Sequence, residues 1–144
     1  MRHLWQLISM LVLLLGFITT PARAQEATID YENIDPSGQS IAFWYQHSGE
    51  REEALQAIIQ EFNATNPYGI TVEGIYQGGY GDIFNKMLSV LNTPNAPSLV
   101  VAYQNQAATY QLNNGLVDMR ALLESETYGL DEAASEDFFP AFFD

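Results

Sequence analysis

The sequence contains no cysteine among its 144 residues. Disulfides, thiolate nucleophiles and zinc sites built on cysteine are therefore excluded. The lipid-modified cysteine that tethers many bacterial surface proteins is excluded as well. If the chain is exported, we expect a freely soluble product and not a lipoprotein.

Basic residues are scarce: 5 Lys and Arg stand against 18 Asp and Glu, a net charge of −13 at pH 7. Nucleic acids are bound by basic surfaces that neutralise phosphates, and anionic membranes attract polybasic segments. The charge balance therefore argues against a nucleic-acid partner and against an anionic membrane face. An acidic surface of this kind mainly keeps a protein soluble.

The apolar run 7–18 near the start is shorter than the roughly 20 residues that a transmembrane helix needs. It follows a basic start, and a proline with the small residues Ala22 and Ala24 comes after it, the pattern that signal peptidase cleaves. We predict a Sec-type signal peptide over 1–24, cleaved after Ala24. The product would be periplasmic or extracellular, without a membrane anchor, and its 120 residues would hold 3 basic and 18 acidic side chains, a net charge of −15.

The rest of the chain begins with a polar stretch, 25–39, which we interpret as a linker. Apolar runs then start at Ile41, Ile70 and Leu99, 29 residues apart each time. This spacing fits a strand, a crossover helix and the return to the next strand. The sequence therefore predicts an α/β fold with a parallel βαβαβ sheet and right-handed crossovers.

Helical periodicity lies between the predicted strands. The first helix, with Ser48 as its predicted N-cap, carries one apolar stripe made of Leu55, Ile58, Ile59 and Phe62. A second helix follows a glycine-rich turn at 77–82, and a third is predicted over 104–112. Gly74 interrupts the second strand and predicts either a bulge or a close packing contact. The third strand is predicted over 99–102.

Ligands of open parallel sheets bind beyond the carboxyl ends of the strands. Three loops would lie there, at 46–48, 77–80 and 103–105, and they offer amides, hydroxyls, tyrosines and one histidine. They contain no carboxylate pair, lysine or arginine. Such groups suit a neutral, polyhydroxylated solute.

Each candidate also has a purely structural interpretation. Tyr80 could cap a turn, and His47 could be an ordinary loop residue without metal-ligand neighbours. Trp44, in mid-strand, fits the core as well as a stacking surface. The stretch 78–81 lacks the ending of a phosphate loop and the spacing of a dinucleotide site, and no nucleophile elbow occurs. No metal or cofactor is expected.

Five short motifs follow one another along the chain: Phe43-Trp44 with His47-Ser48, Phe62-Asn63-Ala64-Thr65-Asn66-Pro67, Tyr76-Gln77-Gly78-Gly79-Tyr80, Asn95-Ala96-Pro97, and Tyr103-Gln104. In this order they resemble the extracytoplasmic solute-binding proteins of ABC importers, and in particular the glycerol-3-phosphate-binding branch. The branch has Phe-Trp-His-Ser without a break, whereas Tyr45 and Gln46 intervene here. The resemblance covers 41–123.

The resemblance implies a type II periplasmic-binding-protein-like fold, in which two α/β lobes close around a cleft. It implies capture of a sugar, polyol or glycerol-phosphate-type solute, delivery to the permease subunits and no catalysis. Tyr80 and Gln104 match the branch's ligand-contacting tyrosine and glutamate, although Gln104 is an amide. His47 and Trp44 complete the predicted site.

By this resemblance, 40–144 would be an incomplete N-terminal lobe. The phenylalanines near its end would lack cover, so we expect the segment 25–144 alone to be molten or aggregated. Two other functions remain open from the sequence, an exported carbohydrate-active enzyme and a binding lobe that serves a sensor.

Overall fold

The computed structural model describes residues 30–139, so the predicted signal peptide and its cleavage after Ala24 lie outside the described residues. The strands are β1 (Ser40–Tyr45), β2 (Thr71–Tyr76) and β3 (Leu99–Val100). The helices are α1 (Glu50–Thr65), α2 (Tyr80–Val90), α3 (Gln104–Leu112), α4 (Arg120–Leu123) and α5 (Glu132–Glu136). The predicted α/β class is confirmed.

The three strands form one parallel sheet in the order β2-β1-β3. Ser40 of β1 lies opposite Thr71 of β2, and Phe43 lies opposite Leu99 of β3. β1 is therefore the central strand, which explains why it is apolar on both faces. The predicted parallel βαβαβ arrangement is confirmed.

The two faces of the sheet are covered by different helices. Side chains alternate along a strand, and in β1 the Tyr45 hydroxyl bonds to α1 while Trp44 packs against a cluster that includes buried residues of α2 and α3. β2 lies on one side of β1 and β3 lies on the other. The connection from β2 to β3 therefore crosses the sheet in the direction opposite to the connection from β1 to β2. Right-handed crossovers then place α1 and α2 on opposite faces.

The buried core consists of Tyr45, Ile59, Ile83, Met87 and Tyr110. Tyr45 and Ile59 meet between the sheet and α1, close to Gly74. Ile83, Met87 and Tyr110 form a cluster with half-buried neighbours, among them Trp44 and Val100. The core is thus split by the sheet into two layers.

Gly74 produces no bulge, because the pairing of β2 with β1 continues through it, with Phe43 opposite. The predicted alternative, a close packing contact, is confirmed. A Cβ atom at this position would lie 2.6 Å from Cδ1 of Ile59 and 3.2 Å from Cε1 of Tyr45. The bare backbone lets α1 approach the sheet.

Two details of the sequence interpretation are wrong, the N-cap of α1 and the end of the third strand, and the structure adds a third about the α1 stripe. The N-cap of α1 is Gly49 and not Ser48, since the chain turns into the helix at a positive φ of 60° that favours glycine. Only part of the α1 stripe is covered: Ile58 is 63% exposed and Phe62 is 41% exposed. The third strand ends at Val100, two residues early, because the chain then leads into α3.

The outer edge of β2 is bonded by two asparagine side chains of the α1–β2 region. The Asn63 amide donates to the Val72 carbonyl at 3.0 Å and accepts from the Val72 N–H at 2.8 Å. Asn66 bonds both backbone groups of Ile70 in the same way, at 2.9 and 2.8 Å. These side chains take the place of a neighbouring strand and cover an edge that would otherwise invite pairing.

The described part of the predicted linker, 30–39, contains a 3-10 turn at Tyr31–Asn33. It contacts the region after α4, where the Tyr128 hydroxyl donates to the Ile34 carbonyl at 2.5 Å. This contact lies on the amino side of the sheet, away from the carboxyl ends of the strands.

Candidate functional site

The carboxyl ends of the three strands bring the predicted loops together at one edge of the sheet. The order of the strands reverses direction at β1, and such a switch point is where open α/β sheets bind ligands. Gln46 follows β1, Tyr80 follows the loop after β2, and Tyr103 follows β3. The Gln46 Nε2 atom lies 2.8 Å from the Tyr80 hydroxyl oxygen, and the rings of Tyr80 and Tyr103 are 4.1 Å apart.

Tyr80 is held in place by the glycine-rich loop before it. Gly78 adopts a φ of 93°, which favours glycine, and the N–H of Gly79 donates to the Asp82 carboxylate at 2.9 Å. Lys86 of α2 donates to both the carbonyl and the side-chain oxygen of Gln77, at 3.0 and 2.6 Å. The loop is therefore bonded at its start and at its entry into the helix.

Tyr80 and Tyr103 form a stacked pair whose ring planes are 28° apart. Tyr80 is half-buried, whereas Tyr103 is 53% exposed. Aromatic faces exposed in a cleft are suited to the apolar faces of sugar rings. Tyr103 thus supplies the kind of stacking surface that the sequence proposed for Trp44.

Two glutamine side chains connect the three loops through Tyr80. Gln106 accepts from the Tyr103 N–H at 2.9 Å and donates to the Tyr80 carbonyl at 3.2 Å. The Gln46 side chain donates to the Tyr80 hydroxyl. Its side-chain oxygen, Oε1, is buried without a hydrogen-bond partner in the described part of the chain. Buried polar atoms without a hydrogen-bond partner are uncommon in proteins.

Sequence reasoning did not single out either glutamine. Gln106 could have been noticed, because it stands three residues after Tyr103, where a side chain can reach back to the N-cap backbone. Gln46 gave no signal of its own beyond its place in the first loop. Its partner Tyr80 lies 34 residues away.

The four predicted site residues occupy different environments. Tyr80 lies at the centre of the loops, and half-buried His47 borders an open pocket of about 460 Å³. Gln104 is exposed at the first position of α3. Trp44 is half-buried against the α2 core. Contact of any of the four with a ligand remains a prediction.

The pocket beside His47 also contains charged side chains, which the three loops do not supply. Besides Gln46 and Ser48, it is lined by Glu50 and Arg51 from the first turn of α1. One acid and one base add no net charge, and both can bond to hydroxyl groups. Across residues 30–139 there is no group of three or more histidine, aspartate and glutamate side chains that could hold a metal ion.

Comparison with known proteins identifies a family. The sequence model of the family described as bacterial extracellular solute-binding protein matches residues 57–142, more than half of the chain. The sn-glycerol-3-phosphate-binding periplasmic protein UgpB of Shigella flexneri is 26% identical over 94 residues, which are 65% of this chain and 21% of that protein.

UgpB of Escherichia coli K12 is 24% identical and UgpB of Salmonella paratyphi A is 23% identical, with the same shares of each chain covered. The chain thus spans about a fifth of the length of these curated relatives. By their names, the family and the relatives are binding proteins. In the described range, no helix is both long and apolar enough to cross a bilayer.

Proposed function

The chain belongs to the bacterial extracellular solute-binding protein family, and we propose that it is part of the substrate-binding component of an ABC importer. In this role the protein captures a sugar, polyol or glycerol-phosphate-type solute outside the cytoplasm and delivers it to the permease subunits in the membrane. It binds its solute without transforming it. The signal peptide 1–24 directs its export and is removed after Ala24.

One observation carries this proposal: three loops from three parallel strands meet around the Tyr80 side chain. The groups that they present are amides, hydroxyls and aromatic faces, fixed by hydrogen bonds before any solute arrives. Pre-formed polar groups beside an aromatic surface are the usual features of a small-molecule binding site. The positions of Tyr80, Gln104 and His47 around this edge support them as solute contacts.

The nature of the solute follows from charge and hydrogen bonding. The pocket beside the first loop is lined by one acid, Glu50, and one base, Arg51, and the whole chain carries a net charge of −13, which slows the approach of anions. A neutral sugar or polyol is therefore our first candidate. A glycerol phosphate is the second, supported by the ligand for which the relatives are named.

A binding role also fits the distribution of carboxylates. Glycoside hydrolysis normally needs two carboxyl groups on either side of the scissile bond. Among the residues that line the pocket beside His47, Glu50 is the single acid. This arrangement supports binding over catalysis.

The test is isothermal calorimetry on the complete product of the gene, with maltose, glycerol and glycerol 3-phosphate as probes. Tyr80→Phe keeps the ring stacked on Tyr103 but removes the hydroxyl, so we expect binding to weaken by roughly 1–3 kcal/mol. Tyr68→Phe is the matched control, because Tyr68 precedes β2 and so lies at the amino ends of the strands, away from the site.

Gln104→Ala should also weaken binding, whereas Gln111→Ala, exposed at the other end of α3, should not. Binding of none of the three probes to the wild-type protein would contradict the proposed solute class. Unchanged affinity in both Tyr80→Phe and Gln104→Ala would contradict the site.

A further inference from the structure

Gln46 stands at the carboxyl end of the central strand, and its side chain is only partly satisfied. Its Nε2 atom donates to the Tyr80 hydroxyl oxygen at 2.8 Å, while its Oε1 atom is buried without a partner among the described residues. Gln46 also borders the pocket that His47 and Ser48 line. It is one of the two residues that separate Phe43-Trp44 from His47-Ser48 in this chain.

The bond from Gln46 determines which way the Tyr80 hydroxyl can act. A phenol hydroxyl has one proton to donate and oxygen lone pairs that accept. Since Gln46 donates into the oxygen, the Tyr80 proton must point elsewhere, and within residues 30–139 no acceptor takes it. Tyr80 is thereby left as a hydrogen-bond donor towards the site.

The opposite orientation of the Gln46 amide is less favourable. Tyr80 would then donate to the amide oxygen, and the NH₂ group would occupy the buried position with two unpaired protons in place of one unpaired carbonyl. In either orientation one end of the amide lacks a partner within the described lobe. The unpaired end of the amide is buried, so Gln46 acts on the site through the Tyr80 hydroxyl.

We propose that Gln46 is a specificity-determining residue, which fixes the Tyr80 hydroxyl as a hydrogen-bond donor to the solute. This inference rests on the proposed function. The oxygen of a solute hydroxyl or phosphate group can accept a hydrogen bond from Tyr80, whereas an ammonium group only donates. The Gln46–Tyr80 pair therefore selects a solute with an acceptor oxygen at this point and discriminates against an ammonium group.

The test compares solute affinity with stability in two variants of the complete gene product. Gln46→Met keeps the length of the side chain and removes both polar ends. We expect affinity for maltose or glycerol 3-phosphate to fall roughly 5- to 150-fold, because the Tyr80 hydroxyl is no longer held as a donor to the solute. The Tm without solute should be unchanged or higher, because an unpaired buried carbonyl is removed.

The second variant is Gln46→Glu. A carboxylate can only accept, so it takes the Tyr80 proton and reverses the direction of this hydrogen bond, and affinity should fall here as well. The matched control is Gln111→Met, a surface glutamine of α3 outside the site, with unchanged affinity and Tm.

The outcomes separate this inference from the proposed function. Weaker binding in Tyr80→Phe with unchanged binding in Gln46→Met would overturn the inference and leave the proposed function intact. A lower Tm of Gln46→Met without solute would assign Gln46 a structural role. It would overturn the inference whichever solute is used in the binding experiments. If the wild-type protein binds none of maltose, glycerol and glycerol 3-phosphate, the proposed function fails and the inference fails with it.

Discussion

At the scale of single residues, two fully buried tyrosines differ in how their hydroxyl groups are satisfied. The Tyr45 hydroxyl donates to the Glu52 carboxylate and accepts from the Gln56 amide, both at 2.8 Å. The Tyr110 hydroxyl, in the core cluster beside Phe84, has no partner among the described residues. The two side chains are 1% and 0% exposed, so they differ in bonding and not in burial.

The same substitution should therefore have opposite effects at these two positions. Tyr45→Phe leaves two half-buried polar partners without their hydrogen bonds to the buried ring and should lower the free energy of unfolding by about 1–3 kcal/mol. Tyr110→Phe removes an unsatisfied hydroxyl and should be neutral or stabilising. Urea unfolding of both variants, made in the complete gene product, checks this, and equal losses at the two sites would contradict the hydrogen-bond assignment.

The candidate site could be predicted from the sequence only in outline. Parallel strands bring their carboxyl ends to one edge whatever their side chains, so the three loops and Tyr80 followed from topology. The bonds of Gln46 and Gln106 to Tyr80 span 34 and 26 residues. Contacts of this kind depend on side-chain geometry across elements and leave no periodic signal in the sequence.

At the scale of elements, the contact of α1 with the sheet depends on the missing side chain of Gly74. Gly74→Ala would place a Cβ atom 2.6 Å from Cδ1 of buried Ile59, so we expect a loss of about 1–3 kcal/mol from overpacking. Gly81→Ala is the matched control, since that helical glycine has open space around it. It should be neutral or stabilise α2 by up to about 1 kcal/mol.

A double variant shows whether the clash with Ile59 is the cause. Ile59→Val removes the Cδ1 atom that the new methyl group meets, so the double variant with Gly74→Ala should lose less stability than the sum of the two single changes. Additive losses in denaturant unfolding would assign the effect of Gly74→Ala to the strand and not to its contact with α1.

The elements themselves followed from the sequence more closely than their packing did. The bounds of α3 were predicted correctly, because Tyr103 and Asn113 flank a short segment between clear stop signals. The exposure of Ile58 and Phe62 was not foreseen. Periodicity gives the direction of an apolar stripe, but the width that is buried depends on how much sheet lies beneath the helix.

At the scale of the whole described structure, stability should fall at alkaline pH. Burial raises the pKa of Tyr110, and burial, reinforced by Glu52 and opposed by the Gln56 hydrogen bond, raises the pKa of Tyr45. A pKa raised in the folded state favours the folded protein fully below the unfolded value of about 10. This contribution is lost as the pH rises from about 10 through the folded-state pKa.

Tyr110→Phe removes one of these two ionisations. Its free energy of unfolding should therefore fall less steeply than that of the wild-type protein between pH 9 and pH 11. Denaturant unfolding at a series of pH values measures the two slopes. Parallel slopes would show that Tyr110 does not couple ionisation to unfolding.

One of the two asparagines that cover the outer edge of β2, Asn63, also has a consequence for how the protein is produced. Asn63-Ala64-Thr65 is an acceptor sequence for N-linked glycans in eukaryotic secretion. The amide nitrogen that a glycan would modify donates to the Val72 carbonyl in the folded chain. A glycan attached during translocation, before β2 forms, would leave that edge open. We expect yeast secretion to give aggregated material, and Thr65→Ala, which removes the acceptor sequence but keeps Asn63, to restore the yield found in bacteria.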